Sequence, residues 1–277
     1  MKKFFMKTLA SAATSFAVVL GLSVSVFAAD AEKAPKEVNW SFSGFFGTYD
    51  RAALQRGFQV YEEVCAACHG IRYIAFRNLT EIGFSEEEAK AIAEKYETVS
   101  PQYYWEDTED FDGNPAKAKV YPVVTAGLSD KFPAKQFETE AQIRDGNGGA
   151  LPPDLSLITK ARHHGPDYVY SLLTGYEDAP SGMEMVPGMS YNPYFGGSQI
   201  AMANPLFEDQ VEYADGTKAT ADQMAKDVVT FLMWAAEPKL EERHQMGYKV
   251  MIFMLVFTIL MYFSNRRVWA DVKKKKD

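Results

Sequence analysis

Two long apolar segments lie at opposite ends of the 277-residue chain, and amphipathic patterns lie between them. The first segment follows Met1-Lys2-Lys3 and runs from about Leu9 to Phe27. A charged start, a small-residue-rich apolar run and small residues at its end are typical of a secretory signal peptide. We therefore expect residues 1–28 to be removed by cleavage after Ala28. An uncleaved anchor helix is less favoured, because the run is rich in Ala and Ser rather than Leu.

The second apolar segment, Met246–Phe263, has 18 residues and one charge, Lys249, about one turn from its end. This length and composition predict a transmembrane helix, for which we set the bounds 241–265. A buried core helix of this length is the alternative, but core helices rarely end in a polybasic tail. Interfacial aromatic residues and basic residues flank the segment: Tyr248, Tyr262, Trp269, Arg266, Arg267 and Lys273 to Lys276. The positive-inside rule then places residues 266–277 in the cytoplasm and the body of the chain outside it.

Helix-start signals and 3.6-residue periodicity predict several helices in the body, and strand signals are few. One helix carries Leu54, Phe58 and Tyr61 on one face and continues to Val64–Cys65, after an N-cap at Asp50. Within it, Gly57 would let another helix cross closely, with the aromatic face around Phe231 as the natural partner. Three other predicted helices start at Ser85–Glu88, Thr139–Gln142 and Thr220–Gln223, and a fourth spans Asp167–Tyr176. The helix that starts at Thr220 ends before Pro238 and carries on one face Met224, Val228, Phe231, Leu232 and Ala235.

Two stretches, about 98–137 and 177–219, are rich in Pro, Gly, Tyr and acidic residues and are predicted to be irregular. That is more loop than a compact domain usually contains. A large rigid cofactor would supply the missing core surface. The pattern therefore predicts a mainly α domain that is built around such a group.

Charge is distributed unevenly. The formal net charge is −8, and residues 8–248 hold 19 Lys and Arg against 35 Asp and Glu. An acidic body argues against a nucleic-acid partner and favours either a basic protein partner or a merely solvated surface. Acidic residues cluster at Glu86–Glu88, Glu106–Asp112 and Glu208–Asp215, where they also suit solvent or helix N-termini. No Gly-rich phosphate loop, nucleophile elbow or paired-carboxylate motif stands out.

The chain has two cysteines, and they form the motif Cys65-Ala-Ala-Cys68-His69. Two thiols at this spacing can form thioethers to the two vinyl groups of a haem, and the adjacent His can then bind the iron. A zinc site would need further paired ligands. A thioredoxin-like dithiol would follow a strand, whereas this motif ends a helix. Covalent haem c, one per chain, is the favoured interpretation.

The second axial ligand cannot be chosen from spacing. Two candidates, Met224 and Met233, lie on a predicted helix and are better explained as core residues. His244 borders the predicted membrane helix. The remaining candidates are His163, His164, Met183, Met185, Met189 and Met202, of which the four methionines lie in a Gly- and Pro-rich loop.

From about Trp40 to the tail, the chain resembles the bacterial cytochrome c1 family, the haem subunits of the quinol–cytochrome c oxidoreductase (bc1) complex. The motifs that carry the resemblance occur in order along the sequence. They are Arg56-Gly-Phe-Gln-Val-Tyr61, Gly149-Ala-Leu-Pro-Pro-Asp-Leu-Ser156, Ala161-Arg-His163, Asp167-Tyr168, Leu172-Leu-Thr-Gly-Tyr176, Asn192-Pro-Tyr-Phe195, Ile200-Ala-Met-Ala203 and Phe231-Leu-Met-Trp-Ala-Ala-Glu-Pro238.

The resemblance implies a fold and a set of site residues. The fold would be mainly α, a class I c-type cytochrome core with long loop insertions and one C-terminal transmembrane helix. Met202 would be the distal iron ligand opposite His69, and Met183, Met185 and Met189 would be loop residues. Four further residues would line the haem or its propionates: Asn147, Pro152, Arg162 and Tyr168. Some bacterial relatives hold an extra disulfide near the distal loop, for which this chain has no cysteines.

The resemblance also implies a function. The chain would be an electron-transfer subunit, not an enzyme on its own. It would take electrons from a Rieske iron–sulfur protein and pass them to a soluble basic cytochrome c, beside cytochrome b in a dimeric complex. Residues 29–240 would form a periplasmic haem domain anchored in the bacterial inner membrane. A haem peroxidase or gas sensor, and a haem-free dithiol oxidoreductase, are the rival functions.

Overall fold

The computed structural model describes residues 31–109, 115–132 and 140–270. The predicted signal peptide with its cleavage site, Thr139 and the lysines of the tail lie outside these ranges. The described part is mainly helical, as expected. Its helices are α1 (Arg51–Val60), a π-helical turn (Tyr61–Cys65), a 3-10 helix (Phe76–Ile82), α2 (Glu86–Ala93), α3 (Glu140–Gly146), α4 (Ile158–Ala161), α5 (Gly165–Leu173), α6 (Ala221–Ala236) and α7 (Leu240–Val268).

Helices α1 and α6 cross at Gly57, and this crossing forms the centre of the domain. A Cβ at Gly57 would overlap the Asp227 carbonyl group and lie 2.8 Å from Cβ of Phe231. Only glycine permits this approach, so the predicted close crossing is confirmed. The aromatic rings of Phe58 and Phe231 meet beside it, with centroids 5.6 Å apart. The α1–α6 pair thus positions the turn that follows α1, where the Cys-X-X-Cys-His motif lies.

A buried ion pair ties the same two helices together. The guanidinium of Arg56 on α1 donates from Nε and Nη2 to the two carboxylate oxygens of Asp227 on α6, at 2.9 and 3.0 Å. The Asp227 side chain is 1% exposed and also accepts a hydrogen bond from Gln223. Arg56 reaches Asp215 as well, at 2.8 Å. One side chain therefore connects α1, α6 and the loop before α6.

Three predicted helix starts have the expected caps. Asp50 accepts hydrogen bonds from the amides of Ala52 and Ala53. Ser85 and Glu88 form a reciprocal capping box at the start of α2. Thr220 caps α6 by accepting from the amide of Gln223. Such caps satisfy amides that have no partner inside the helix, which explains why they could be predicted locally.

One helix is displaced relative to its prediction. The sequence predicts a helix over Asp167–Tyr176, whereas α5 runs from Gly165 to Leu173. The helix begins early because His164 adopts a left-handed conformation (φ 61°) and Pro166 suits the first turn. Asp167 is then free to bind elsewhere, and its Oδ1 accepts from Nε1 of Trp40 at 2.6 Å.

The stretch 98–137 is more regular than predicted. Its described part contains two nested antiparallel pairs, and every side chain of the second strand is exposed. The alternation that marks a half-buried strand is therefore missing from the sequence. The stretch 177–219 remains largely irregular, as expected, apart from one short pair. The strands are β1 (Glu97–Val99), β2 (Tyr104–Glu109), β3 (Pro115–Val120), β4 (Val123–Thr125), β5 (Ser190–Tyr191) and β6 (Gln199–Ile200), paired as β1–β4, β2–β3 and β5–β6.

Helix α7 is longer than the predicted 241–265 at both ends. Its 29 residues span about 43 Å. Of the described helices, it is the one that is long and apolar enough to cross a membrane, and none of its apolar window is buried. Its first turns are fixed to the domain, because Glu241 accepts from the Tyr49 amide and pairs with Arg51 at 2.7 Å. The start of the helix therefore belongs structurally to the domain.

Candidate haem site

The Cys-X-X-Cys-His motif folds as a continuation of α1. The amide of Ala66 donates to the Tyr61 carbonyl, and the amide of His69 donates to the Cys65 carbonyl at 2.9 Å. These bonds wind Cys65 and Cys68 into one compact turn. The Cys65 side chain is half-buried and that of Cys68 is exposed. The turn therefore presents two thiols and an imidazole from one short rigid segment.

The imidazole of His69 has a fixed orientation. Its Nδ1–H donates to the carbonyl of Pro153 at 2.7 Å, which leaves Nε2 without a proton and free to bind a metal. The carbonyl of His69 itself accepts from the buried hydroxyl of Tyr61 at 3.0 Å. Burial lowers the pKa of His69, which favours the neutral, ligating form of the ring. This is the arrangement that an axial haem ligand requires.

Two rival interpretations of the motif find no support. Burial raises the pKa of the Cys65 thiol to about 12, whereas redox-active dithiols depend on a lowered thiol pKa. In the parts of the chain that the structure describes, no three His, Cys, Asp or Glu side chains form a group that could hold a metal ion. Among the described residues, the motif therefore shows neither the lowered thiol pKa of a redox dithiol nor the ligand cluster of a zinc site.

The segment before α4 packs along the residues that follow the motif. The amide of Leu155 donates to the Gly70 carbonyl at 2.7 Å, and Asp154 accepts from the Arg72 amide. This pairing carries the half-buried Pro152 to the vicinity of His69, since the next residue, Pro153, binds the imidazole. Asn147 lies just beyond α3, and its side chain donates to the Ile143 carbonyl at 2.6 Å.

Three of the predicted site residues are linked through one further tyrosine. The Arg162 and Tyr168 side chains form a hydrogen bond, and burial raises the pKa of Tyr168. The hydroxyl of Tyr176 donates to the Met202 carbonyl at 3.0 Å. Tyr168 lies close enough to Tyr176 to help raise its pKa, so Arg162, Tyr168, Tyr176 and Met202 belong to one region. The Met202 side chain is half-buried there.

The other ligand candidates lie in different surroundings. His163 and His164 are both exposed, and their rings contact each other at a tilt of 46°. His244 donates from Nδ1 to the Gly47 carbonyl at the start of α7. Met224 and Met233 are buried in the core on α6, as the sequence predicts.

Sequence reasoning missed three residues that position the site. Pro153 orients His69, Tyr61 holds the His69 backbone, and Tyr176 holds the Met202 backbone. All three stand inside motifs that were singled out, but their roles depend on contacts between residues far apart in the sequence. A contact of this kind leaves no periodicity to detect.

Comparisons with known proteins identify the family of the chain. The model of the cytochrome C1 family matches residues 40–272. Cytochrome c1, heme protein, mitochondrial, of Saccharomyces cerevisiae is 47% identical over 238 residues, which cover 86% of this chain and 72% of the yeast protein. Cytochrome c1 1, heme protein, mitochondrial, of Arabidopsis thaliana is 46% identical over 241 residues, or 87% of this chain and 74% of the plant protein.

A bacterial relative matches as well. Cytochrome b/c1 of Bradyrhizobium diazoefficiens is 43% identical over 277 aligned positions, which cover 92% of this chain and 38% of that longer protein. The family match, the relatives' names and the orientation of His69 together support a covalently bound haem c. The chain belongs to the cytochrome c1 family, whose members are the electron-transferring haem subunits of the bc1 complex.

Proposed function

We propose that the chain relays single electrons from a Rieske iron–sulfur protein to a soluble basic cytochrome c. The observation that supports this proposal is the Nδ1–H bond from His69 to Pro153, which would hold the proposed axial ligand in one orientation before any partner binds. A haem iron held by a rigid ligand set exchanges electrons without binding substrate. The complex would be dimeric and would contain cytochrome b.

The proposed site residues have distinct roles. Cys65 and Cys68 would hold the haem by thioethers, and His69 and Met202 would bind the iron. A thioether ligand raises the haem potential relative to a second imidazole, which suits a high-potential donor. The linked Arg162 and Tyr168 side chains would pair with a propionate. Asn147 and Pro152 would line the haem, Pro152 beside His69.

The proposed topology rests on the two ends of α7. At its start, Phe45 and Phe46 are exposed and pack against Tyr248, whose hydroxyl donates to the Phe45 carbonyl at 2.5 Å. About 21 residues later Trp269 follows two arginines. At 1.5 Å per residue these aromatic groups are roughly 32 Å apart, about the thickness of a bilayer's hydrocarbon core. The haem domain would lie on the periplasmic side of the inner membrane.

The acidic body supports a basic electron acceptor, although part of its charge has structural roles. Glu208 accepts from the Ala221 amide at the start of α6, and Asp215 pairs with Arg56. Glu63 is exposed and stands two residues before Cys65, in the haem-binding turn itself. Its charge is therefore well placed to attract a basic partner to the haem edge.

Purification of the native complex in mild detergent tests this proposal. We expect cytochrome b and a Rieske protein as companions, and electron transfer to a basic cytochrome c that slows as salt rises. Glu63→Lys should slow that transfer several-fold at low salt. Glu87→Lys, an equal charge change at an exposed position on α2, should have a smaller effect. A different dehydrogenase as companion, or a rate insensitive to salt and to Glu63, would refute the proposal.

A further inference from the structure

Residues 32–38, near the start of the described part of the chain, form a strap without regular secondary structure. The strap runs over two elements far away in the sequence: the β5–β6 hairpin and helix α5. Its backbone and side chains bind both of them.

At the hairpin, Glu32 accepts side-chain hydrogen bonds from Tyr191 and, at 3.5 Å, from Ser198, and Lys33 makes a backbone contact. The buried Tyr191 of β5 donates its hydroxyl to the carboxylate of Glu32 at 2.6 Å. The Lys33 amide donates to the Pro193 carbonyl at 2.9 Å. The bond to Glu32 raises the pKa of Tyr191 to about 12, so the hydroxyl remains a donor throughout the physiological range.

At helix α5, the strap binds the side chains and the open carbonyl at the helix end. The Lys36 amide donates to Oγ of Ser171 at 2.7 Å, and its ammonium group donates to the carbonyl of Thr174 at 3.1 Å. The same ammonium group lies 5.4 Å from the ring centroid of Tyr194, in the loop of the hairpin. Lys36 therefore contacts α5 and the hairpin simultaneously.

The hairpin leads directly to Met202. Strand β6 ends at Ile200, two residues before it, and pairs with Ser190 of β5. The hairpin is also tied to α5 through the side chain of Asn192, which donates to the Leu172 carbonyl at 2.8 Å. Both cysteines of the chain lie in the haem-binding turn, so no disulfide can hold this hairpin.

We propose that the strap is a positioning element for the distal haem ligand: through Glu32 and Lys36 it clamps the β5–β6 hairpin onto α5 and so holds Met202 on the iron. This inference rests on the proposed ligation by Met202. Without the clamp, the hairpin would open locally and the thioether would leave the iron for part of the time. A haem that has lost its thioether ligand has a lower potential and an open coordination position.

The test uses the purified complex with Glu32→Ala and Tyr191→Phe, which remove the same hydrogen bond from opposite sides. Two readouts are needed: the midpoint potential of the c-type haem, and the fraction of reduced haem that binds carbon monoxide. Each variant should lower the potential and raise the carbon monoxide-binding fraction about fivefold, the factor that corresponds to one hydrogen bond of ordinary strength. The double variant should be no worse than Glu32→Ala alone.

Two controls and a reference variant separate the possible outcomes. Glu32→Gln keeps an oxygen that accepts from Tyr191 and should restore both readouts, and Glu37→Ala removes an exposed carboxylate of the same strap and should leave them unchanged. Met202→Leu should make nearly all reduced haem bind carbon monoxide. If Met202→Leu has this effect but neither Glu32→Ala nor Tyr191→Phe changes either readout, the positioning role is refuted. If Met202→Leu changes nothing, the ligand assignment fails and the inference fails with it.

Discussion

Replacement of Gly57 by Ala tests the helix crossing on which the haem-binding turn is built. The new Cβ would lie 2.6 Å from the Asp227 carbonyl carbon and 2.8 Å from Cβ of Phe231. Carbon atoms pack at about 3.5–4.0 Å, so α1 and α6 would have to separate by roughly 1 Å. Overpacking of this kind costs about 1–3 kcal/mol, and the upper end applies because the obstacle includes backbone. Alanine returns about 1 kcal/mol of helix propensity, which leaves a net destabilisation of about 2 kcal/mol.

The assay is thermal unfolding of the purified complex, followed through the absorption of the c-type haem. For a domain of this size, about 2 kcal/mol corresponds to a fall of roughly 4–8 °C in the midpoint. Gly146→Ala is the matched control, because a Cβ at that helical position meets nothing within 4 Å. Its midpoint should stay close to that of the wild type. A Gly57→Ala complex as stable as the wild type would refute the close-crossing argument.

Three further predictions concern charges and caps. Asp227→Ala leaves Arg56, whose side chain is 15% exposed, without its main partner and should lower the free energy of unfolding by about 3–5 kcal/mol. The control is Glu94→Ala, which removes an exposed ion pair and should lower it by less than about 0.5 kcal/mol. Similar losses in the two variants would contradict this prediction. Ser85→Ala removes the cap of α2 and should lower the free energy of unfolding by about 1 kcal/mol. An unchanged midpoint of thermal unfolding would contradict this prediction. Asp215 has a pKa lowered to about 2 from its usual 3.8, mainly by the Thr217 amide and Arg56, so its stabilising effect is complete above about pH 4 and is lost as the pH falls through 2. Asp215→Asn should therefore lose less stability than the wild type between pH 4 and 2, and parallel acid unfolding curves would contradict the assignment.

Features determined by neighbouring residues could be predicted from the sequence. The caps at Asp50, Ser85 and Thr220 each join residues no more than three positions apart, so the residue types at these positions are enough to predict them. Gly57 was informative for a related reason, because glycine in the middle of an apolar helical face is unfavourable unless something packs against it. The haem motif is local as well, and its turn folds as its spacing suggests.

Features that depend on distant partners were missed or left open. Strand β2 is exposed on both faces and no residue of β3 is more than half-buried, so burial imposed little alternation on their sequence. The bonds from Tyr191 to Glu32 and from His69 to Pro153 join residues 159 and 84 positions apart. For the same reason spacing alone could not select Met202 among the candidate ligands. That choice came from the family resemblance and remains a proposal.

The most direct test of the proposed relay is a stopped-flow experiment on the purified complex, in which a pulse of quinol is added and the c-type haem absorption is recorded. We predict that the haem is reduced within the turnover time of the complex and is reoxidised when a soluble basic cytochrome c is added. Removal of the iron–sulfur protein should abolish the reduction, and its return should restore it. Reduction at an unchanged rate without the iron–sulfur protein, or a reduced haem that does not pass its electron to the soluble cytochrome, would contradict the account.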